Sequence, residues 1–158
     1  DWEAVVPDVM LLGKALGGGI IPVSAVVSRD DVLAVLHPGE HGSTFGGNPL
    51  ALAIGREVIQ MLREGEMQQR SEELGTAMLA RLREEAPGAV VEVRGKGLWA
   101  GVVTAVGDLT ARQRCETALS RGLLMKETHA TTLRLAPPLM ISTADLDHGI
   151  DVVLSVLK

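Results

Sequence analysis

The 158-residue sequence predicts an α/β fold, and three patterns predict it. Short apolar runs over 9–12 and 23–28 are bounded by Pro, Gly and Asp and have the length of strands. Two longer stretches, 49–63 and 66–85, carry apolar residues at helical spacing. Beyond Pro87-Gly88 the period falls to that of strands, and extended and helical stretches then alternate to residue 157.

The first run, VMLL, follows Pro7-Asp8 and does not alternate, so it reads as a strand buried on both faces. Lys14 stands at its carboxyl end, where open α/β sheets place their ligands. A buried lead-in strand would leave the lysine partly desolvated, which favours the neutral, nucleophilic amine. Gly17, Gly18 and Gly19 add no side chains, so a bulky group can lie against that backbone. The local pattern has two readings: a Schiff-base lysine that holds an aldehyde cofactor, of which pyridoxal phosphate is the commonest, or a surface lysine before a flexible glycine turn. A phosphate-cradling nucleotide loop is excluded, because Asp8 and Ala15 stand where that loop needs Gly and Ser or Thr.

After the second strand, Asp30 or Asp31 caps a short helix to about residue 36. The loop 37–48, HPGEHGSTFGGN, contains His37, Glu40 and His41 at the H-x-x-E-H spacing of a zinc-protease motif. That chemistry needs both histidines on one helical face, and Pro38-Gly39 breaks the helix between them. In the loop's second half, Ser43 and Thr44 supply hydroxyls, and Gly46-Gly47 leave N–H groups approachable. Asn48-Pro49 then opens a helix. Such a helix start suits a phosphate, and it is equally an ordinary capped helix start.

The helix from Pro49 carries Leu50, Ala53, Ile54, Val58, Met61 and Leu62 at helical spacing, and Gly65 ends it. The helix over 66–85 places Met67, Leu74, Met78 and Leu82 on one face, the methionines filling core. Strands follow over 90–94 and 98–104 around the turn Gly95-Lys96-Gly97, with a helix over 110–121 closed by Gly122. A short strand over 123–125 leads into a polar turn over 126–131, and a strand over 132–136 is stopped by Pro137-Pro138. Ser142 and Asp145 form a capping box for a last helix over 143–157. The change of period places a boundary near residues 62–65, giving domains 1–62 and 63–158.

Composition narrows the function classes. A net charge of −5 with scattered basic residues argues against a nucleic-acid partner. The single cysteine, Cys115, fits a reducing, cytoplasmic compartment, and no stretch has the length of a membrane span or the form of a signal segment. Aromatics are limited to Trp2, Phe45 and Trp99, which is thin for a self-contained site that stacks a flat ring. The opening Asp1 and the immediate strand signal suggest a chain that begins mid-architecture.

Four segments, in order, carry a resemblance: PDVMLLGKALGGGIIPVSAVV, PGEHGSTFGGNPLA, VRGKGL and GLLMKETHATTLRLAPPL. They resemble the carboxyl-terminal part of the class III pyridoxal-phosphate-dependent aminotransferases. The Lys-x-Thr-His of Lys126–His129 is closer to the ornithine type than to the acetylornithine or 4-aminobutyrate types. The resemblance implies the end of the large α/β domain of a fold-type I transferase followed by its small α+β domain. It also implies that Lys14 forms the internal aldimine with pyridoxal 5'-phosphate, and that Ser43 and Thr44 reach the cofactor phosphate of a neighbouring subunit in a dimer. Arg134 lies near the substrate end and pairs with a glutamate from the other half. The implied reaction moves the δ-amino group of L-ornithine to 2-oxoglutarate. The family's glycine-rich phosphate segment, ring-stacking aromatic, pyridine-facing acid and carboxylate-binding arginine are not found in these residues. Asp1, Glu3 and Asp8 do not match the acidic context upstream of the lysine. The sequence therefore implies either half of an enzyme that assembles with a separate amino-terminal half, or a non-catalytic remnant that serves as an interaction module.

Overall fold

The computed structural model describes residues 4–107 and 109–158, so Asp1, Trp2 and Glu3 lie outside the described residues. Two compact units divide the chain, Asp1–Glu64 and Gly65–Lys158.

In the first unit, strand β1 (Val9–Leu12) pairs antiparallel with β2 (Ala25–Ser28), Val9 opposite Ser28 and Leu12 opposite Ala25. The Ser28 hydroxyl donates to the Asp8 carbonyl at 2.5 Å, and Arg29 links Asp8 to Asp31, which closes the open end of the pair. Helix α1 (Asp30–Leu33) is a single turn, and α2 (Pro49–Glu64) is the unit's long helix. Asn48 caps α2, its Oδ1 accepting the Ala51 N–H at 2.9 Å while its Nδ2 donates to the Phe45 carbonyl at 2.8 Å. The buried strand that the sequence predicts at 9–12 is a strand, but an exposed one: Leu11 is 76% exposed and Val26 57%. Two strands and one long helix cannot cover both faces of an apolar sheet, so the run that reads as interior stands in solvent here. A two-stranded pair is marginal without further layers, and an apolar face of this extent marks an interface.

The second unit is a four-stranded antiparallel sheet of order β3-β4-β6-β5, formed by Val90–Lys96, Trp99–Thr104, Thr132–Leu135 and Lys126–Thr128 respectively. Helices α3 (Glu66–Glu85), α4 (Ala111–Ser120) and α5 (Thr143–Leu157) pack with it. The core interleaves Met78 and Leu82 of α3, Val102 of β4, Leu133 of β6, and Val153 and Leu157 of α5, all essentially inaccessible. Arg81 ties α3 to α5 through Asp147 and Asp151 while pairing with Glu85 at 2.7 Å. Thr110 and Gln113 form a reciprocal capping box at the start of α4, and Ser142 caps α5 by accepting the Asp145 N–H at 3.0 Å.

One strand differs from the sequence expectation. Residues 123–125 are not extended into a strand; β5 is instead Lys126–Thr128, in the segment read as a polar turn. Leu123 and Met125 lean on the core, whereas Leu124 is exposed. An edge strand keeps one side in water and tolerates charged residues, which is why its polar sequence imitates a turn.

Candidate active site

Lys14 opens a 3-10 turn, Lys14–Gly17, immediately after β1. Its backbone is left-handed, with φ of +52°, a conformation that L residues other than Asn and Asp rarely adopt. Gly18 and Gly19 continue at φ of +61° and +75°, so the chain turns sharply without side chains. This turn rests on α2. A Cβ at Gly18 would lie 3.1 Å from the Val58 side chain, and one at Gly55 would meet the Leu16 carbonyl at 3.7 Å. The small residues on both sides allow that close approach, and Gly17 is buried within it.

Lys14 lines a shallow cavity of about 440 Å³ with Gly19, Ile20, Ile21, Pro22 and Val23. Its amine is exposed and makes no hydrogen bond or ion pair among the described residues. The partly desolvated lysine that the sequence predicts is thus a correction: with β1 itself in solvent, no apolar layer covers the side chain.

The loop before α2 holds Ser43 and Thr44, both exposed, and neither lines the Lys14 cavity. Ser43 Oγ accepts the Gly46 N–H at 3.0 Å, and a Cβ on Gly46 would stand 2.9 Å from Ser43 Cβ. The bend therefore admits only glycine there. Gly39 sits at φ of +92°, and the Glu40 carboxylate accepts the His37 N–H at 2.7 Å, so His37 and His41 belong to a turn, not to a helix.

Arg134 belongs to the second unit. It sits half-buried on β6, opposite Lys126 of β5 and Gly101 of β4. It lines a second cavity, of about 580 Å³, whose floor is core: Met78, Leu135, Leu146, Ile150 and Val153. Arg112, Lys126, Glu127 and Asp145 complete its charged lining. Arg112 pairs with Glu116 at 2.8 Å and Glu127 at 3.4 Å, which raises the guanidinium pKa. Glu127 is held below the usual carboxylate range by its own backbone N–H and by Arg112. Sequence reasoning missed Lys126, Glu127 and Arg112 as lining residues, because taking 126–131 for a turn conceals that Lys126 and Arg134 share a strand register.

The profile of the family "Aminotransferase class-III" matches residues 1–157. The chain belongs to the class III aminotransferases. Among curated relatives of this class III chain, the ornithine aminotransferase of Halalkalibacterium halodurans is 48% identical over 158 residues, covering all of the chain and 39% of the relative. The one from Brevibacillus brevis is 48% identical over 159 residues, covering 99% and 39%. The chain therefore spans about two fifths of the length of these relatives. Of solved structures, Plasmodium falciparum ornithine δ-aminotransferase superposes with a TM-score of 0.90 at 40% identity, covering 98% of this chain and 40% of that one. Toxoplasma gondii ornithine aminotransferase, in which PLP partly occupies the active site, gives 0.90 at 36% identity, covering 98% and 37%. The class III aminotransferases are pyridoxal-phosphate-dependent, and the present fold is a portion of their fold-type I α/β architecture.

Proposed function

We propose that the chain is the carboxyl-terminal part of an ornithine aminotransferase, moving the δ-amino group of L-ornithine to 2-oxoglutarate to give L-glutamate 5-semialdehyde and L-glutamate. The observation that carries this reading is Lys14: an unpaired amine on a left-handed backbone, at the mouth of a cavity beside three glycines. A non-glycine residue held left-handed costs on the order of 1–2 kcal/mol, and such strain concentrates where a side chain must occupy one place. The ornithine aminotransferases among the relatives support the choice of substrate.

The residues present fit one side of pyridoxal 5'-phosphate. A free primary amine suits its aldehyde, and Gly19, where a Cβ would meet nothing within 4 Å, leaves space for a ring beside it. The glycine-only bend at Ser43–Gly46 presents hydroxyls suited to a phosphate. Lys14 would hold the cofactor, and Ser43 and Thr44 would hold the phosphate of a neighbouring subunit in a homodimer. When bound, the cofactor supplies an electron sink for the carbon that bears the transferred amino group. Lys14 Nζ, when not engaged, carries a proton to or from that carbon, and Arg134 orients a substrate carboxylate from the small domain. The residues that would stack on the ring and face its nitrogen are sought in the remainder of the relatives' length, on the same or a separate amino-terminal polypeptide.

Reductive trapping tests the reading. The chain is incubated with pyridoxal phosphate, with and without a polypeptide covering the remaining aminotransferase length, then reduced with borohydride and mapped by mass spectrometry. A stable adduct on Lys14, absent from Lys14→Ala, together with turnover of L-ornithine by the complemented pair, is the expected result. Absence of a Lys14-dependent adduct in the complemented pair overturns it and leaves an interaction module as the better account.

A further inference from the structure

We propose that Gly55 of α2 is a positioning residue for Lys14: its lack of a side chain seats the Lys14–Gly17 turn on the helix and so holds the lysine backbone in its left-handed conformation. The inference rests on the reading of Lys14 as the reactive amine and adds to it the element that fixes where that amine stands.

Glycine within a 16-residue helix is a poor choice for the helix itself, because alanine there loses less backbone freedom on folding. Yet α2 buries its small residues, Ala51 and Gly55 one turn apart, while Leu50, Leu52 and Ile59 stay exposed. What lies over Gly55 is the turn that begins at Lys14. A Cβ at Gly55 would meet the Leu16 carbonyl oxygen at 3.7 Å, Leu16 Cγ at 3.8 Å and Cδ1 at 3.9 Å. Two residues further on, a Cβ at Gly18 would stand 3.1 Å from Val58 Cγ2 and 3.7 Å from Ile54 Cγ2. The turn thus touches α2 at two points. Between them, the Leu16 N–H donates to the Gly13 carbonyl at 3.1 Å and the Gly18 N–H to the Ala15 carbonyl at 2.9 Å, which ties residues 13–18 into one body with Lys14 inside it. A left-handed backbone at a residue other than glycine persists only where its surroundings hold it. The Lys14 side chain makes no bond among the described residues that would do so, and the contacts at Leu16 and Gly18 take that part. The turn has little room to yield. Gly17 is buried, and a Cβ there would already touch Val23 Cγ1 at 3.5 Å. At Gly55 an alanine therefore fits in ordinary contact, whereas the further carbons of a leucine fall where Leu16 stands and lift the turn by on the order of an ångström.

The test follows two quantities in Gly55→Ala, Gly55→Leu and Val58→Ala, the last of which removes atoms beneath Gly18 instead of adding them. NMR couplings in the full 158-residue chain report φ at Lys14. Borohydride trapping in the complemented pair reports how fast pyridoxal phosphate is captured at Lys14 relative to the exposed Lys96 and Lys126. Gly55→Ala is expected to keep the left-handed coupling and the wild-type trapping rate while raising the Tm. Gly55→Leu should lose that coupling and slow trapping at Lys14 by on the order of tenfold to a hundredfold, with Lys96 and Lys126 unchanged and the α2 amides still helical. Val58→Ala should move both quantities in the same direction by less. Wild-type φ or wild-type trapping at Lys14 in a helical Gly55→Leu overturns the proposal. If that variant loses the helical shifts of α2, Val58→Ala decides, and wild-type values in it overturn the proposal. A wild type without selective trapping at Lys14 sinks the aminotransferase reading instead, and the couplings still decide whether α2 sets the Lys14 backbone.

Discussion

Gly75 lies in the middle of α3, where alanine would ordinarily be the better residue by about 1 kcal/mol. The structure reverses that expectation. A Cβ at Gly75 would stand 2.1 Å from the Gly97 carbonyl carbon, 2.2 Å from its oxygen and 2.4 Å from its Cα, so helix and turn would have to part by more than an ångström. The turn has nowhere to retreat. Gly97 is at φ of +51°, the Leu98 N–H donates to Ser71 Oγ at 3.1 Å, and Gly95 already lies against the Trp99 carbonyl. Overpacking typically costs about 1–3 kcal/mol, and a contact between two backbones sits at the upper end. Losing the Ser71–Leu98 bond adds about 1 kcal/mol. Gly75→Ala should therefore destabilise by about 3 kcal/mol, lowering the Tm of a unit this size by roughly 10–20 °C. Thermal unfolding followed by far-ultraviolet circular dichroism measures it, with Ala77→Gly on the exposed face of the same helix as the reference for propensity alone, at about 1 kcal/mol. A Tm for Gly75→Ala equal to or above the wild type would refute the close approach of α3 to the β3–β4 turn.

Two further outcomes follow from the second unit. Thr110→Ala removes the side chain that accepts the Gln113 N–H at 3.2 Å and should cost about 1 kcal/mol in denaturant unfolding, with Thr110→Ser recovering most of it. Glu127 carries a depressed pKa through its own backbone N–H and Arg112, so its contribution is present above the ordinary glutamate value and lost as pH falls through the depressed one. The stability gap between wild type and Glu127→Gln should accordingly be constant above roughly pH 5 and close below about pH 4.3; a gap that widens on acidification would contradict the assigned partner.

The second unit was legible in the sequence where local chemistry and burial agree. The helix over 66–85 is bounded by Gly65 and Pro87 and carries its apolar face on one side, and the last helix is announced by Ser142 and Asp145; both were found at the residues where the structure places them. The edge strand β5 was not legible, because three residues of which two are charged offer no hydrophobic period, and only pairing with β6 makes them a strand. The glycines of VRGKGL were legible as a turn but not as a contact. Gly95 and Gly97 are required by the Trp99 carbonyl and Ser71, and Gly75 by Gly97, partners that lie far away in sequence.

The site divides along the same line. Lys14 and the glycines after it stand out in sequence because side-chain chemistry and backbone permissiveness coincide within a few residues. The exposure of that lysine did not, since an apolar lead-in strand reads as buried whether or not its covering layers lie within the same 158 residues. The pattern VMLL records the environment for which the strand is suited, and its exposed side chains record what these residues alone can cover. A polypeptide that covers the exposed β1–β2 face should therefore act on both properties together, protecting the β1 and β2 amides from hydrogen exchange and drying the approach to Lys14. Protection of β1 without any change in the trapping of Lys14 would separate the two and assign the apolar face to assembly alone.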